Sequence, residues 1–194
     1  MSICYINGSF QNKLSASISI QDRGFNFSDG VYEVMSFQKN KIINFDRHLK
    51  RLDRSLNSLR IKKPVRNSKS LELIIKKLIK LNGMDDGFIY LQITRGSSSR
   101  NHLFPISILP NIVIFTFNIK LDSEMIKKGV NVMLSEDLRW KRCDIKSISL
   151  LPNVLEKQNA FESGMYESWQ ERGNYITEGS TSNAFIVNSK NEIQ

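Results

Sequence analysis

The chain has 194 residues, 40% hydrophobic and 24% charged, a balance that buries a continuous core in one domain or two small ones and excludes extended disorder. No run approaches the roughly 20 apolar residues of a membrane helix, and residues 1–10 lack the basic flank and apolar block of a secretory signal, so a cytoplasmic protein is expected. Two cysteines, Cys4 and Cys143, with two histidines exclude a disulfide framework and a structural zinc site, while the net charge of +9 fits a polyanionic partner, a phosphorylated cofactor or a plain lysine bias.

Short apolar runs alternate with helical stripes, the pattern of a mixed α/β chain and not of a repeat or coiled coil. Residues 3–10 carry the turn dipeptide Asn7-Gly8, and residues 18–20 read as a second extended piece, giving an N-terminal hairpin. Leu49, Leu52, Leu56 and Leu59 then fall at three- and four-residue spacing behind Asp46 as cap, which predicts a helix over 48–59. A second helix follows from Leu71, Ile74, Ile75, Leu78 and Leu81, with Ser68 or Ser70 as cap and Gly83 past its end.

Residues 88–94 alternate β-formers, and 112–117 form a continuous run that fits a strand buried on both faces. A change of character near Lys120 marks a domain boundary, giving domains of 1–120 and 121–194. Beyond it come a short helix ending at Gly129, a strand over 130–134, a helix between Pro152 and Gly164, and two strands, 175–178 and 184–187, joined by residues 179–182.

The stretch from Arg139 to Asn153 holds the most chemistry, because Lys146 lies between Ile145 and Ile148 just after Arg139, Lys141 and Arg142. An amine among apolar groups and other cations is pushed towards its neutral, nucleophilic form, which is what attack on a carbonyl requires. Taken alone, the same pattern also suits an ordinary solvated lysine.

Several motifs extend the reading: Tyr5 to Gly8, Asp22-Arg23-Gly24-Phe25, Asp29-Gly30-Val31-Tyr32-Glu33-Val34, His48 to Leu52, Tyr90 to Gly96, Arg139-Trp140, Arg142 to Ser147 and Thr177-Glu178-Gly179-Ser180. In this order, and spread over essentially the whole chain, they resemble the fold type IV pyridoxal-phosphate enzymes and within them the D-amino acid aminotransferases. The resemblance implies a two-domain α/β (α+β) fold of that type with an incomplete second domain. It also implies a homodimer with a shared active site, and D-amino acid and 2-oxo acid substrates without nucleic acid or membrane partners.

By that resemblance Lys146 forms the Schiff base with pyridoxal 5′-phosphate. Glu178 keeps the pyridine nitrogen protonated so that the ring can take up electrons. Arg51 presents its guanidinium fork to the phosphate, whereas Arg47, Lys50 and Arg54 read as solvated helix charges. Arg139 joins the implied cofactor set, and the turn Ser180-Thr181-Ser182 offers hydroxyls and amides to the ring or phosphate, a composition that an ordinary polar hairpin turn shares. Arg100 and His102, two apart in an extended loop and so pointing the same way, imply with Tyr32 a trap for the substrate α-carboxylate, the Arg-x-His pair coming from the neighbouring subunit.

Branched-chain aminotransferases and aminodeoxychorismate lyases share the fold. Tyr32-Glu33-Val34 departs from the first group's Phe-Glu-Gly pattern, and the Arg100/His102 pair is missing from the second. Ser99 stands where the family often has proline. A basic anion- or nucleic-acid-binding protein is the reading from a different class, supported by charge alone. The family's Gly-Ile-Thr helix start and later Ser/Thr loop, both phosphate ligands, have no counterpart before Gln194. A truncated chain that holds the cofactor weakly and turns over slowly or not at all is therefore expected.

Overall fold

Asn7 and Gly8, both with positive φ, turn the chain between β1 (Ile3–Ile6) and β2 (Ser9–Asn12). The hairpin is thus complete within residues 3–12, and residues 18–20 are not its second strand but irregular chain leading to a short helix α1 (Arg23–Phe27). The computed structural model describes residues 2–119 and 123–193. The boundary expected at Lys120 falls on residues 120–122 and the chain end on Gln194, both outside the described residues.

One unit comprises Met1–Lys120 together with Asp144–Ser149. Its six-stranded antiparallel sheet has the order β2-β1-β6-β5-β3-β4, with β3 (Gly30–Gln38), β4 (Lys41–Ile42), β5 (Asp86–Thr94) and β6 (Asn111–Phe117). Two helices, α2 (Phe45–Leu59) and α3 (Ser68–Leu81), bury Leu49, Leu52, Leu56, Leu71, Ile75 and Leu78 in one core with Val31, Met35, Ile89, Leu91, Ile93 and Ile114 of the sheet. The helical spacing thus delivers its apolar stripe to the strands.

Both helix caps differ from the sequence reading. Asn44, not Asp46, is the N-cap of α2, in the left-handed region and without a side-chain cap bond; Asp46 lies in the first turn, where its charge suits the helix dipole. Asn67, one residue before Ser68, caps α3 by accepting from the backbone N–H of Ser70. Strand β6 is buried on one face only. Its alternate residues Val113, Phe115 and Phe117 are half-buried, and Tyr90 and Phe115 stack at 4.9 Å between ring centroids on that face.

Residues 144–149, expected in the second domain, belong to this first unit. They run beside the start of β3, where the Tyr32 N–H donates to the Lys146 carbonyl (3.1 Å) and the Ile148 N–H to that of Gly30 (3.2 Å). A Cβ at Gly30 would lie 2.7 Å from the Ile93 carbonyl oxygen and 3.1 Å from Ile148, so only glycine permits this approach.

The other unit, Leu121–Cys143 with Leu150–Gln194, contains α4 (Ser123–Lys128), β7 (Val132–Glu136), α5 (Leu151–Glu162), β8 (Glu167–Arg172) and β9 (Tyr175–Gly179). β7 and β8 pair in parallel through the α5 crossover, and β9 adds antiparallel to β8. The strand expected over 184–187 does not form: Phe185, Ile186 and Val187 are exposed, and among the described residues the segment makes only an isolated bridge from Val187 to Ile193.

Candidate active site

Lys146 is held from two sides, its carbonyl bonded to β3 and its N–H donating to the Ser55 hydroxyl of α2 at 3.2 Å. Its Nζ reaches the Tyr32 hydroxyl at 3.3 Å and lies 4.4 Å from the centre of the same ring. Among the described residues no carboxylate bonds this amine. Tyr32 stacks on Tyr90 at 5.7 Å; burial, with Tyr32 as second cause, pushes the Tyr90 hydroxyl up to about 12, which keeps this wall of the site neutral.

Alternation along β3 puts Tyr32 on one face and Glu33 on the core face, where its side chain is 1% exposed. Arg51, one α-helical turn after His48 on α2, meets it as a fork: Nε to Oε1 and Nη2 to Oε2, both 2.7 Å, with His48 Nδ1 also 2.7 Å from Oε2. Burial opposes the Glu33 charge, but the bonds from Arg51 and His48 outweigh it and hold the carboxyl below its usual range. The Arg51 Nη1 makes no bond to a described residue.

Arg100 and His102 come together around one ring. The Arg100 guanidinium lies 5.0 Å and the His102 ring 5.1 Å from the Phe27 centroid.

In the second unit, Arg139 clamps Asp137 through Nε (2.9 Å) and Nη2 (3.0 Å), and its Nη1 stands 3.9 Å from Glu178 Oε2. The Thr177 hydroxyl and Arg172 also donate to Asp137. Burial works against this carboxylate, yet the bonds from Arg139 and Thr177 hold its pKa down at about 2. The turn after Glu178 is organised by Glu167, which accepts from the N–H and hydroxyl of Thr181 and from the Ser182 hydroxyl. Ser180 is buried, its hydroxyl accepting from the Ser168 N–H. The hydroxyl hydrogens of Thr181 and Ser182 are thus given to Glu167, not outward.

The lowered Asp137 pKa has a testable sign. Its stabilisation is complete above the unfolded-state value near 3.9 and lost as pH falls towards about 2. Urea titrations of wild type and Asp137→Asn between pH 6 and 2 are expected to differ by about 2–3 kcal/mol at the upper end and to converge at the lower. A constant gap across this window would contradict the assignment.

With this geometry in place, the pattern of the family Amino-transferase class IV matches residues 30–192. The chain belongs to the class IV aminotransferases. D-alanine aminotransferase of Staphylococcus epidermidis is 38% identical over 188 residues, covering 96% of this chain and 66% of that protein. Its namesake from Staphylococcus aureus is 39% identical over 184 residues, covering 94% and 65%, and that of Bacillus licheniformis 35% over 181, covering 93% and 64%. The chain thus spans just under two thirds of the length of these curated relatives.

Among solved structures, the Escherichia coli branched-chain amino acid aminotransferase superposes with a TM-score of 0.85 at 19% identity, covering 97% of this chain and 66% of that one. The branched-chain aminotransferase of the archaeon Thermoproteus uzoniensis, solved with norvaline, gives 0.83 at 18%, covering 97% and 66%. At such identities the likeness shows the class IV aminotransferase fold and nothing finer.

Four carboxylates that hold the candidate residues in place escape the sequence reading: Asp29 and Glu33 in the first unit, Asp137 and Glu167 in the second. Two of them were in view within quoted motifs, Asp29 and Glu33. The signal available was a charged residue at an inward position of an otherwise apolar alternation, which demands a cationic partner.

Proposed function

We propose that the protein exchanges amino groups between a D-amino acid such as D-alanine and a 2-oxo acid such as 2-oxoglutarate, as a cytoplasmic homodimer using pyridoxal 5′-phosphate. The observation that carries this reading is Lys146, its backbone fixed by β3 and α2 and its amine facing a tyrosine hydroxyl instead of a carboxylate among the described residues. The relatives named D-alanine aminotransferase support the substrate class.

The donor set suits such a cofactor. Lys146 is a primary amine without an anionic partner among the described residues, Arg51 has Nη1 to spare once Glu33 has aimed it, and Glu178 is a carboxylate accompanied by Arg139. Lys146 would hold the aldehyde carbon, Arg51 the phosphate and Glu178 the ring nitrogen, with Arg139 and the turn Ser180-Thr181-Ser182 as further members of the proposed cofactor set. When bound, the group supplies an electron sink for the pair left by the substrate Cα–H bond.

The chain's own residues account for the rest. Lys146 Nζ takes the Cα proton, and the Tyr32 hydroxyl at 3.3 Å orients that amine. Arg100 and His102, presented by the partner copy, bind the α-carboxylate together with Tyr32, and a charged two-point grip of this kind fixes which hydrogen faces the base. Donor profiling with 2-oxoglutarate as acceptor tests the reading: D-alanine is expected to be consumed and L-leucine spared. Preference for L-leucine would overturn it.

A further inference from the structure

We propose that Phe27 is a positioning residue for the carboxylate trap, its ring acting as the platform that holds Arg100 and His102 in register; the inference rests on the reading of that pair given above. Both side chains sit on an exposed loop between β5 and β6, where two neighbouring donors ordinarily lose rotamer order unless something else fixes them. Here one ring fixes both. The Arg100 guanidinium lies over Phe27 at 5.0 Å, within cation–π range, and the His102 ring meets it at 5.1 Å with the planes tilted by 53°.

The platform is itself anchored. Asp22 caps α1 by accepting from the N–H groups of Gly24 and Phe25, and its other oxygen accepts from the Thr94 hydroxyl and the Asn111 amide, both at 2.6 Å. A Cβ at Gly24 would come within 2.4 Å of the Thr94 methyl, so α1 is seated directly on the end of β5. Arg23, 4.8 Å from the Phe27 centroid, sends Nη1 to the carbonyls of Asn101 (2.5 Å) and Leu103 (3.4 Å), the residues flanking His102. The backbone around the trap is therefore held by Arg23 and its side chains by Phe27. Each alone leaves the pair free in one respect, the backbone in translation or the donors in rotation. Together they set the spacing at which one carboxylate meets two donors.

His48 and His102 are the chain's two histidines, so side-chain NMR of the imidazoles gives one signal from the trap and one internal reference fixed on Glu33. In the ligand-free protein, Phe27→Leu is expected to move the His102 signal to its unstructured position and leave that of His48 unchanged, while Phe27→Tyr, which keeps the π face, retains the wild-type position. Titration with pyruvate should then show binding weakened about five- to tenfold in Phe27→Leu, the worth of one or two exposed ring contacts, with Phe27→Tyr restoring it and Arg100→Ala losing more. An unmoved His102 signal and unchanged pyruvate affinity in Phe27→Leu, alongside a loss in Arg100→Ala, would overturn the positioning role while leaving the trap intact. A His102 signal indifferent to pyruvate in wild type, or an Arg100→Ala variant that binds it equally well, would overturn the trap itself and this inference with it.

Discussion

Lys146→Ala is expected to abolish exchange between D-alanine and 2-oxoglutarate. The amine has two duties in the proposed reaction, covalent attachment and movement of the Cα proton, and the second alone is worth about 10²–10⁴-fold in rate. Its structural share is small by comparison. Among the described residues Nζ makes one hydrogen bond and one ring contact, both to Tyr32, so stability should fall by only about 1 kcal/mol. The chain around it is held by backbone groups of Tyr32 and Gly30 and by the Ser55 hydroxyl, all of which the substitution leaves in place. Steady-state assays beside a urea melt separate the two effects. A variant that folds normally and still turns over at near the wild-type rate removes Lys146 from the chemistry.

Asp29→Ala is expected to cost about 3–5 kcal/mol of folding stability, the range for breaking a buried ion pair from one side. Asp29 bonds Arg95 through both its oxygens, at 2.7 and 2.9 Å, and Arg23 at 2.8 Å. Those two guanidinium groups are only 5% and 4% exposed, so removing the carboxylate leaves two like charges in one dry site. Burial opposes the ionised form, but the bonds from Arg95 and Arg23 win and lower the Asp29 pKa. Because Arg23 also carries the carbonyls of Asn101 and Leu103, and Arg95 packs 3.6 Å from the Phe104 centroid, the loop with Arg100 and His102 should loosen before the core does. Urea denaturation followed by circular dichroism gives the number, and a loss under 1 kcal/mol contradicts this account of the network.

What the sequence made legible was local and periodic. The leucines of α2 and α3 repeat at the period of a helix and reach the core as expected, and the alternation over 88–94 and the continuous run over 112–117 mark β5 and β6 as strands, although β6 is buried on one face and not both. Strand β8 stayed hidden because Glu167, Ser168 and Gln170 are its buried residues. Nothing local marks such a polar run as interior: the groups that satisfy Glu167 are contributed by Thr181 and Ser182, at separations of 14 and 15 residues. The same reason hid Glu33, which enters the core as the partner of His48 and Arg51, 15 and 18 residues away. Conversely, residues 184–187 have strand composition but pair with no strand among the described residues, since β composition expresses itself only against a neighbour. The candidate chemistry at Lys146 was visible in its flanks, whereas its setting beside β3 required the close approach at Gly30 that no spacing rule reveals.

The most direct test of the central claim is to incubate the protein with pyridoxal 5′-phosphate, reduce with borohydride and map the modified peptide by mass. Reduction adds hydride and a proton across the reversible carbon–nitrogen double bond and leaves a stable single bond, so even weakly held cofactor is recorded where it was attached. The account predicts a single dominant adduct on Lys146, with loss of the visible absorbance band on reduction and no adduct in Lys146→Ala. Label scattered over the surface lysines with none on Lys146 would contradict it.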